Sequence, residues 1–226
     1  MKKGRITIKD LARQLKMSTS TVSRALTDHS DVSSETRRKV KDLAEYLDYQ
    51  PDPIAVGLRR NKTGIIGIIV PQIVNRFFSK CISGFQEVAH ANGYKVMITQ
   101  SAESQEMEKE NVATMINSRV DGLIVALSRQ TSNLAHFEKI FTADIPIVFF
   151  DRVDESLNTS RVIIDDYEAS YNAVKHLIEQ GCKKIAHISG PINLEISKKR
   201  LAGYKNALKD HQLTSDENHL IFSENQ

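Results

Sequence analysis

No stretch of the 226-residue chain is apolar for long enough to cross a bilayer, and no apolar core follows the basic first residues as a signal peptide requires. A membrane-spanning or exported protein is therefore not expected, and the chain reads as cytoplasmic. Cysteine is scarce. Cys81 and Cys182 have no neighbours at metal-ligand spacing, so both read as reduced structural residues. The sequence has no phosphate-binding glycine loop, no nucleophile elbow and no zinc-type spacing, which argues against an α/β enzyme and implies no cofactor. The adjacent Asp165 and Asp166 leave a strand pointing opposite ways, so they are not expected to share a proton or a metal. Asp165 fits better as the cap of the helix that follows. Internal repeats and low-complexity tracts are absent too.

The most informative segment is residues 7–26, TIKDLARQLKMSTSTVSRAL. Ile8, Leu11, Ala12 and Leu15 recur at i, i+3, i+4 and i+7, the apolar face of one helix. Thr7 and Asp10 have capping-box spacing at its start. Lys16, Met17 and Ser18 make a turn. In the second helix Val22, Ala25 and Leu26 point inward, which leaves Thr19, Ser20, Ser23 and Arg24 outside or at the edge. A third helix, capped by Ser33, places Val40, Leu43, Ala44 and Leu47 on one side and Arg37, Arg38, Lys39 and Lys41 on the other. Two short helices with a tight turn, the second carrying hydroxyls and an arginine, can present side chains to the major groove of DNA. Charge is distributed to match. Residues 1–62 hold 14 Lys+Arg against 8 Asp+Glu, a net of +6, whereas the remainder holds 17 against 20, a net of −3. A basic module on a mildly acidic body is the electrostatic footprint of a DNA reader with a separate regulatory domain.

Pro51 and Pro53 break the third helix. Asp52 can cap a new one and Pro53 suits its first turn, yet a helix of that length with Gly57 inside it is marginal alone. The segment also fits a plain interdomain linker. After residue 62 short β-rich runs alternate with amphipathic helices. The runs lie at 65–70, 96–99, 122–127, 147–150, 162–164, 184–189 and 220–222. Helical stretches cover the segment containing Phe78, Ile82, Phe85 and Ala89 and then 104–117, 133–141, 168–180 and 197–209. Such alternation predicts parallel sheets, with a switch to a second sheet near 150–165. Ligands in such sheets sit beyond the carboxyl ends of the strands. That rule selects Asn75, Arg76, Phe77 and Phe78 after the first strand, then Ser128 and Arg129, then Asp151 and Arg152, and then Gly190, Pro191 and Arg200. Phe78 fits core as well as pocket, and Arg152 reads more readily as a surface charge.

Residues 7–60, with TVSRAL at 21–26, the Val32-Ser33…Thr36-Arg37 segment and Ala55-x-x-Leu58, resemble the headpiece and hinge of the lac/galactose repressor family of bacterial transcription regulators. The resemblance extends over nearly the whole chain. It implies an all-α helix-turn-helix headpiece (1–50), a hinge helix (51–62) and an α/β periplasmic-binding-protein-like core of two Rossmann-like lobes, 63–160 and an incomplete 161–226. It implies that Thr19, Ser20 and Arg24 contact base edges and that Leu58, paired with its mate in a dimer, wedges into the minor groove. The expected DNA-facing set is Thr7, Ser18, Thr19, Ser20, Thr21, Ser23, Arg24, Ala55 and Leu58. Asn75, Phe77, Phe78, Asp151 and Arg200 match positions that line the family's effector pocket. The implied function is a repressor, homodimeric on a pseudo-palindromic duplex, controlled by a small effector expected to be a sugar or sugar-like metabolite. Three departures stand out. Lys16 occupies a turn position usually held by glycine. Arg76 stands where Asn-Pro-Phe-Phe is frequent, and residues 192–196 are mostly apolar. The resemblance also predicts that the chain continues past Gln226, so that this length is expected to bind small molecules and dimerise poorly.

Overall fold

The structure, a computed structural model, describes residues 6–50, 62–154, 156–214 and 216–222. The chain divides into two compact units, Met1–Thr63 and Gly64–Gln226. The hinge expected at 51–62, with Ala55 and Leu58, lies outside the described residues apart from Lys62.

In the first unit α1 (Ile8–Leu15), α2 (Thr19–Leu26) and α3 (Ser34–Tyr46) enclose one small core of Leu11, Ala12, Val22, Ala25, Val32, Val40 and Ala44. The helix starts are set by side chains. Asp10 accepts the Thr7 amide at 3.0 Å and its hydroxyl at 2.6 Å. Ser18 accepts the Thr21 amide, and Ser33 accepts that of Thr36. Each cap satisfies an orphan donor of the first turn. Lys16 closes α1 at φ 52°, ψ 40°, the left-handed region. A residue with a Cβ costs roughly 1–2 kcal/mol there, and two bonds to the α1 carbonyls, from Lys16 N to Arg13 O and from Met17 N to Ala12 O, hold it in place. Lys41 leaves its helix face to bond both carboxylate oxygens of Asp28, at 2.7 and 2.8 Å, tying α3 to the loop after α2.

The second unit begins with a five-stranded parallel sheet of order β2-β1-β3-β4-β5, formed by β1 (Ile65–Val70), β2 (Lys95–Gln100), β3 (Gly122–Val125), β4 (Ile147–Phe150) and β5 (Ser160–Val162). Its connecting helices are α4 (Arg76–Ala91), α5 (Gln105–Asn117) and α6 (Ala135–Thr142). Alternate β1 side chains explain why this strand is apolar throughout. Ile68 and Val70 pack with Phe78 and Ile82 of α4, while Ile69 packs with Val112 and Met115 of α5 and Phe137 and Ile140 of α6. Both faces are covered, as a parallel sheet requires. The apolar run at 162–164 is not the strand expected there. β5 is the polar, exposed edge Ser160–Val162, and Ile163 and Ile164 leave the sheet to line a cleft.

The chain then builds α7 (Asp166–Glu179), β6 (His187–Ser189), α8 (Glu195–Asp210), a 3-10 turn (Glu217–His219) and β7 (Leu220–Phe222). β6 and β7 pair in parallel as a second sheet. Asp165 caps α7 through the Glu168 amide at 2.9 Å, as the sequence predicts. α7 and α8 cross closely at Gly203, where an added Cβ would strike the Tyr167 carbonyl oxygen and lie 3.0 Å from the Tyr171 nitrogen. Both are backbone atoms and cannot rotate away. Gly203→Ala gains about 1 kcal/mol of helix propensity against an overpacking cost of roughly 1–3 kcal/mol, so a net loss of about 1 kcal/mol is expected. Gly84→Ala, at an exposed α4 position with nothing within 4 Å of the new Cβ, is expected to add about 0.5–1 kcal/mol. Urea unfolding of the two variants side by side tests both signs.

Candidate functional site

Two surfaces carry the candidate residues. In the first unit, burial of Val22 and Ala25 fixes the rotation of α2. Thr19, Ser20 and Arg24 are consequently exposed, and Thr21 and Ser23 are half-buried at the edges. Ser18 is occupied locally, 2.7 Å from the Ser20 hydroxyl and 2.8 Å from that of Thr21, in addition to capping α2. Thr7 is exposed at the start of α1. Its hydroxyl donates to Asp10, whose carboxyl these bonds hold below the usual aspartate range. The result is a short helix with hydroxyls at its amino end and a guanidinium one turn later.

In the second unit a cleft of about 710 Å³ opens beyond the carboxyl ends of β1, β4 and β6. Asn75, Phe77, Phe78, Asp151 and Arg200, drawn from three separate segments, all line it. The strand order reverses between β1 and β3, the topological switch at which such crevices form. The five residues are not equivalent. The Asn75 side chain caps α4 through the Phe77 amide at 2.9 Å. Phe78 is 3% exposed and meets Phe77 and Phe150 edge-on, so it is the floor of the cleft. Phe77, 49% exposed, offers its ring to the cleft. Arg200 bonds Asp166 through its Nε at 2.7 Å and lines the cleft beside it. Ile163, Ile164, Ile188 and Ile196 form an apolar wall.

Asp151 sits at φ 57° just after β4. Burial pushes its carboxyl above the ordinary value of 3.8, partly opposed by Arg152 and Arg200, while Asp166 adds to the rise. Its pKa is higher in the folded state than in the unfolded chain. Its favourable contribution is therefore complete below the unfolded pKa and is lost as pH rises through the folded one. Asp151→Asn removes that cost and tolerates the left-handed backbone. The variant is expected to melt above the parent at neutral pH, with the gap closing as pH falls toward the ordinary aspartate range. A series of thermal melts across that range measures it.

Sequence reasoning misjudged Arg152 and missed Glu108 and His187. Arg152, selected by the rule for strand ends but read more readily as a surface charge, lines the cleft. Its guanidinium lies 5.8 Å from the Phe78 ring centroid and bonds Glu103 at 2.6 Å. Behind the β3 loop, Glu108 is fully buried and accepts the Ser128 amide and hydroxyl, the Thr131 hydroxyl and His136 Nε2 at 2.7–2.9 Å. A signal existed, because Glu108 lies four and seven residues before the core positions Val112 and Met115, on the buried stripe of α5. His187 also lines the cleft, stacked on Tyr204, and burial followed by Arg200 lowers its pKa. Among the described residues no group of three or more His, Cys, Asp or Glu converges as a metal site. None of the described helices is long and apolar enough to cross a membrane.

Comparison with known proteins agrees with this division. Residues 7–52 match the family described as bacterial regulatory proteins, lacI family. Residues 63–225 match periplasmic binding proteins and sugar binding domain of LacI family. The transcriptional repressor PurR of Vibrio atlanticus is 35% identical over 215 residues, 95% of this chain and 64% of the relative's length. The repressor CytR of Escherichia coli K12 is 36% identical over 203 residues, 90% of this chain and 59% of that one. The chain thus spans about three fifths of the curated relatives it matches. The fold also superposes on a lac repressor dimer bound to operator and the anti-inducer ONPF, with a TM-score of 0.81 at 24% identity over 97% of this chain and 65% of that one. A helix-turn-helix match followed by a matched two-lobed α/β unit, the latter covering more than half the sequence, makes this chain a member of the LacI family of bacterial regulatory proteins.

Proposed function

We propose that the chain is a sequence-specific DNA-binding transcriptional repressor, non-enzymatic and cytoplasmic, whose grip on its operator is controlled by a small molecule in the cleft. The observation that carries the reading is the outward face of α2, where Thr19, Ser20 and Arg24 stand exposed while the opposite face is fixed in the core. In the proposed complex these three contact base edges. Thr7, Ser18, Thr21 and Ser23 approach phosphate or support those that do, and Ala55 and Leu58 of the hinge dock in the minor groove. Residues 1–50, 51–62, 63–160 and 161–226 then serve as headpiece, hinge and the two lobes. A second copy of the chain reads the other half of a pseudo-palindromic site.

For the effector, Asn75, Phe77, Phe78, Asp151 and Arg200 are the proposed contacts. Phe77 stacks on an apolar ring face, Asp151 accepts hydroxyl or N–H donors, and Arg200 donates. A sugar satisfies that set. So does a nucleobase or nucleoside. Binding at the cleft and at the operator must be reciprocally coupled.

Selection from random duplexes tests the first half of the proposal. The enriched pool should converge on an inverted repeat, and a pool without consensus would refute sequence-specific reading. Thermal shift against sugars, nucleosides and nucleobases then assigns the cleft, and a true ligand must also change affinity for the selected duplex.

A further inference from the structure

We propose that Glu103 is a positioning residue that couples the floor of the cleft to the contact between the two lobes of the 64–226 unit. One oxygen, Glu103 Oε2, accepts the Arg129 amide at 2.8 Å and Arg152 Nη1 at 2.6 Å. Arg152 faces the cleft over Phe78. Arg129 belongs to the loop after β3, and its carbonyl oxygen accepts Asn193 Nδ2 at 2.7 Å. Asn193 lies between β6 and α8, in the second lobe. A chain of hydrogen bonds therefore runs from the cleft floor through one carboxylate to a bond that crosses between lobes.

The surroundings make this chain stiff. Ala102 and Glu103 both hold left-handed backbone, at φ 49° and 63°. Consecutive non-glycine residues persist there only where neighbours over-determine them. Those neighbours hang the β3 loop on the segment 101–108. The Ser128 hydroxyl bonds Ser101, and its amide bonds Glu108. The Gln130 amide bonds the Glu103 carbonyl oxygen, and the Ser132 amide and hydroxyl bond Gln105. The loop is a fixed post, and its position at Arg129 is shared with Arg152 through a single oxygen. Two donors on one oxygen compete, and in a poorly solvated site that competition is strong. Any molecule that draws Arg152 toward the cleft tightens the hold of Glu103 on Arg129 and shifts the carbonyl that Asn193 reads. Conversely, a change at Asn193 is felt at Arg152. The inference goes beyond the effector reading and holds whatever fills the cleft, because it concerns bonds within this chain.

Heteronuclear NMR on the full 226-residue chain tests it without a ligand. In Glu103→Gln, the Asn193 side-chain amide is expected to shift and to exchange with water about fivefold faster or more, the low end of ordinary site-to-site coupling. In Asn193→Ala, at an exposed position, exchange of the Arg152 Nε proton is expected to rise by a similar factor while the Glu108-anchored Ser128 amide stays unchanged. A merely structural Glu103 would disturb the Arg129 and Gln130 amides and leave Asn193 where it is, and that result overturns the proposal. So does an Arg152 signal indifferent to Asn193→Ala. If Glu103→Gln does not fold, the Asn193→Ala measurement decides alone.

Discussion

Glu108→Ala is expected to lower the stability of the 64–226 unit by about 3–5 kcal/mol, the usual range when one partner of a buried charged cluster is removed. The reason lies in what remains. Glu108 is wholly buried, and its two oxygens accept four bonds, from Ser128 twice, Thr131 and His136. Truncation leaves an amide and two side-chain groups without that acceptor, while the Ser128 hydroxyl keeps Ser101, and each buried group so stranded costs about 1–3 kcal/mol. A cavity behind α5 adds to the loss. Glu108→Gln keeps the shape and one carbonyl oxygen, while Thr131 and His136 can turn to accept from the new amide, so its cost should be well under half that of alanine. Urea unfolding followed by circular dichroism gives both values, and hydrogen exchange should place the loosening in α5, α6 and residues 128–134. An alanine variant within about 1 kcal/mol of the parent would mean that the cluster contributes nothing net beyond an apolar filling.

Arg24→Ala is expected to weaken binding to the selected duplex by roughly 1–3 kcal/mol while changing binding to random duplex little. Arg24 is exposed on α2, one turn beyond Ser20, and its helix is fixed by Val22 and Ala25, so the substitution removes a contact without disturbing the core. An arginine bidentate to guanine is the commonest specific contact, and its loss relaxes preference at one base pair. Equal losses on selected and random DNA would show instead that the guanidinium meets only phosphate, which carries affinity but no sequence information. Lowering salt separates the two cases, because a phosphate contact changes the slope of affinity with salt and a base contact does not.

The elements most legible in the sequence are those with a strong period or a clear terminus. The i, i+3, i+4, i+7 run of Ile8, Leu11, Ala12 and Leu15 became α1, and the apolar runs at 65–70 and 147–150 became central strands. Local capping chemistry was legible as well, since the Thr7–Asp10 capping box forms and Ser33 and Asp165 each hold the amide expected of an N-cap. The cleft residues could be chosen by the rule for strand ends, and the five come together although 125 residues separate Asn75 from Arg200. Other features depend on tertiary context. Ile163 and Ile164 look like a strand because apolar runs usually are, yet their apolar surface faces a cleft. Only His187–Ser189 of the run at 184–189 pairs as strand, because Ile185 instead joins the core under α7 and α8. Arg152 looked solvated because its acceptor, Glu103, lies 49 residues away. Long-range polar pairs of this kind leave no periodic trace.

The central claim is that the amino-terminal helices read duplex sequence. It is tested most directly by titrating the chain, at physiological salt, against the duplex recovered by selection and against a scrambled duplex of the same composition. The account predicts that the selected duplex binds at least about 1,000-fold more tightly, the lower end for specific DNA readers. Equal affinity for the two would contradict it.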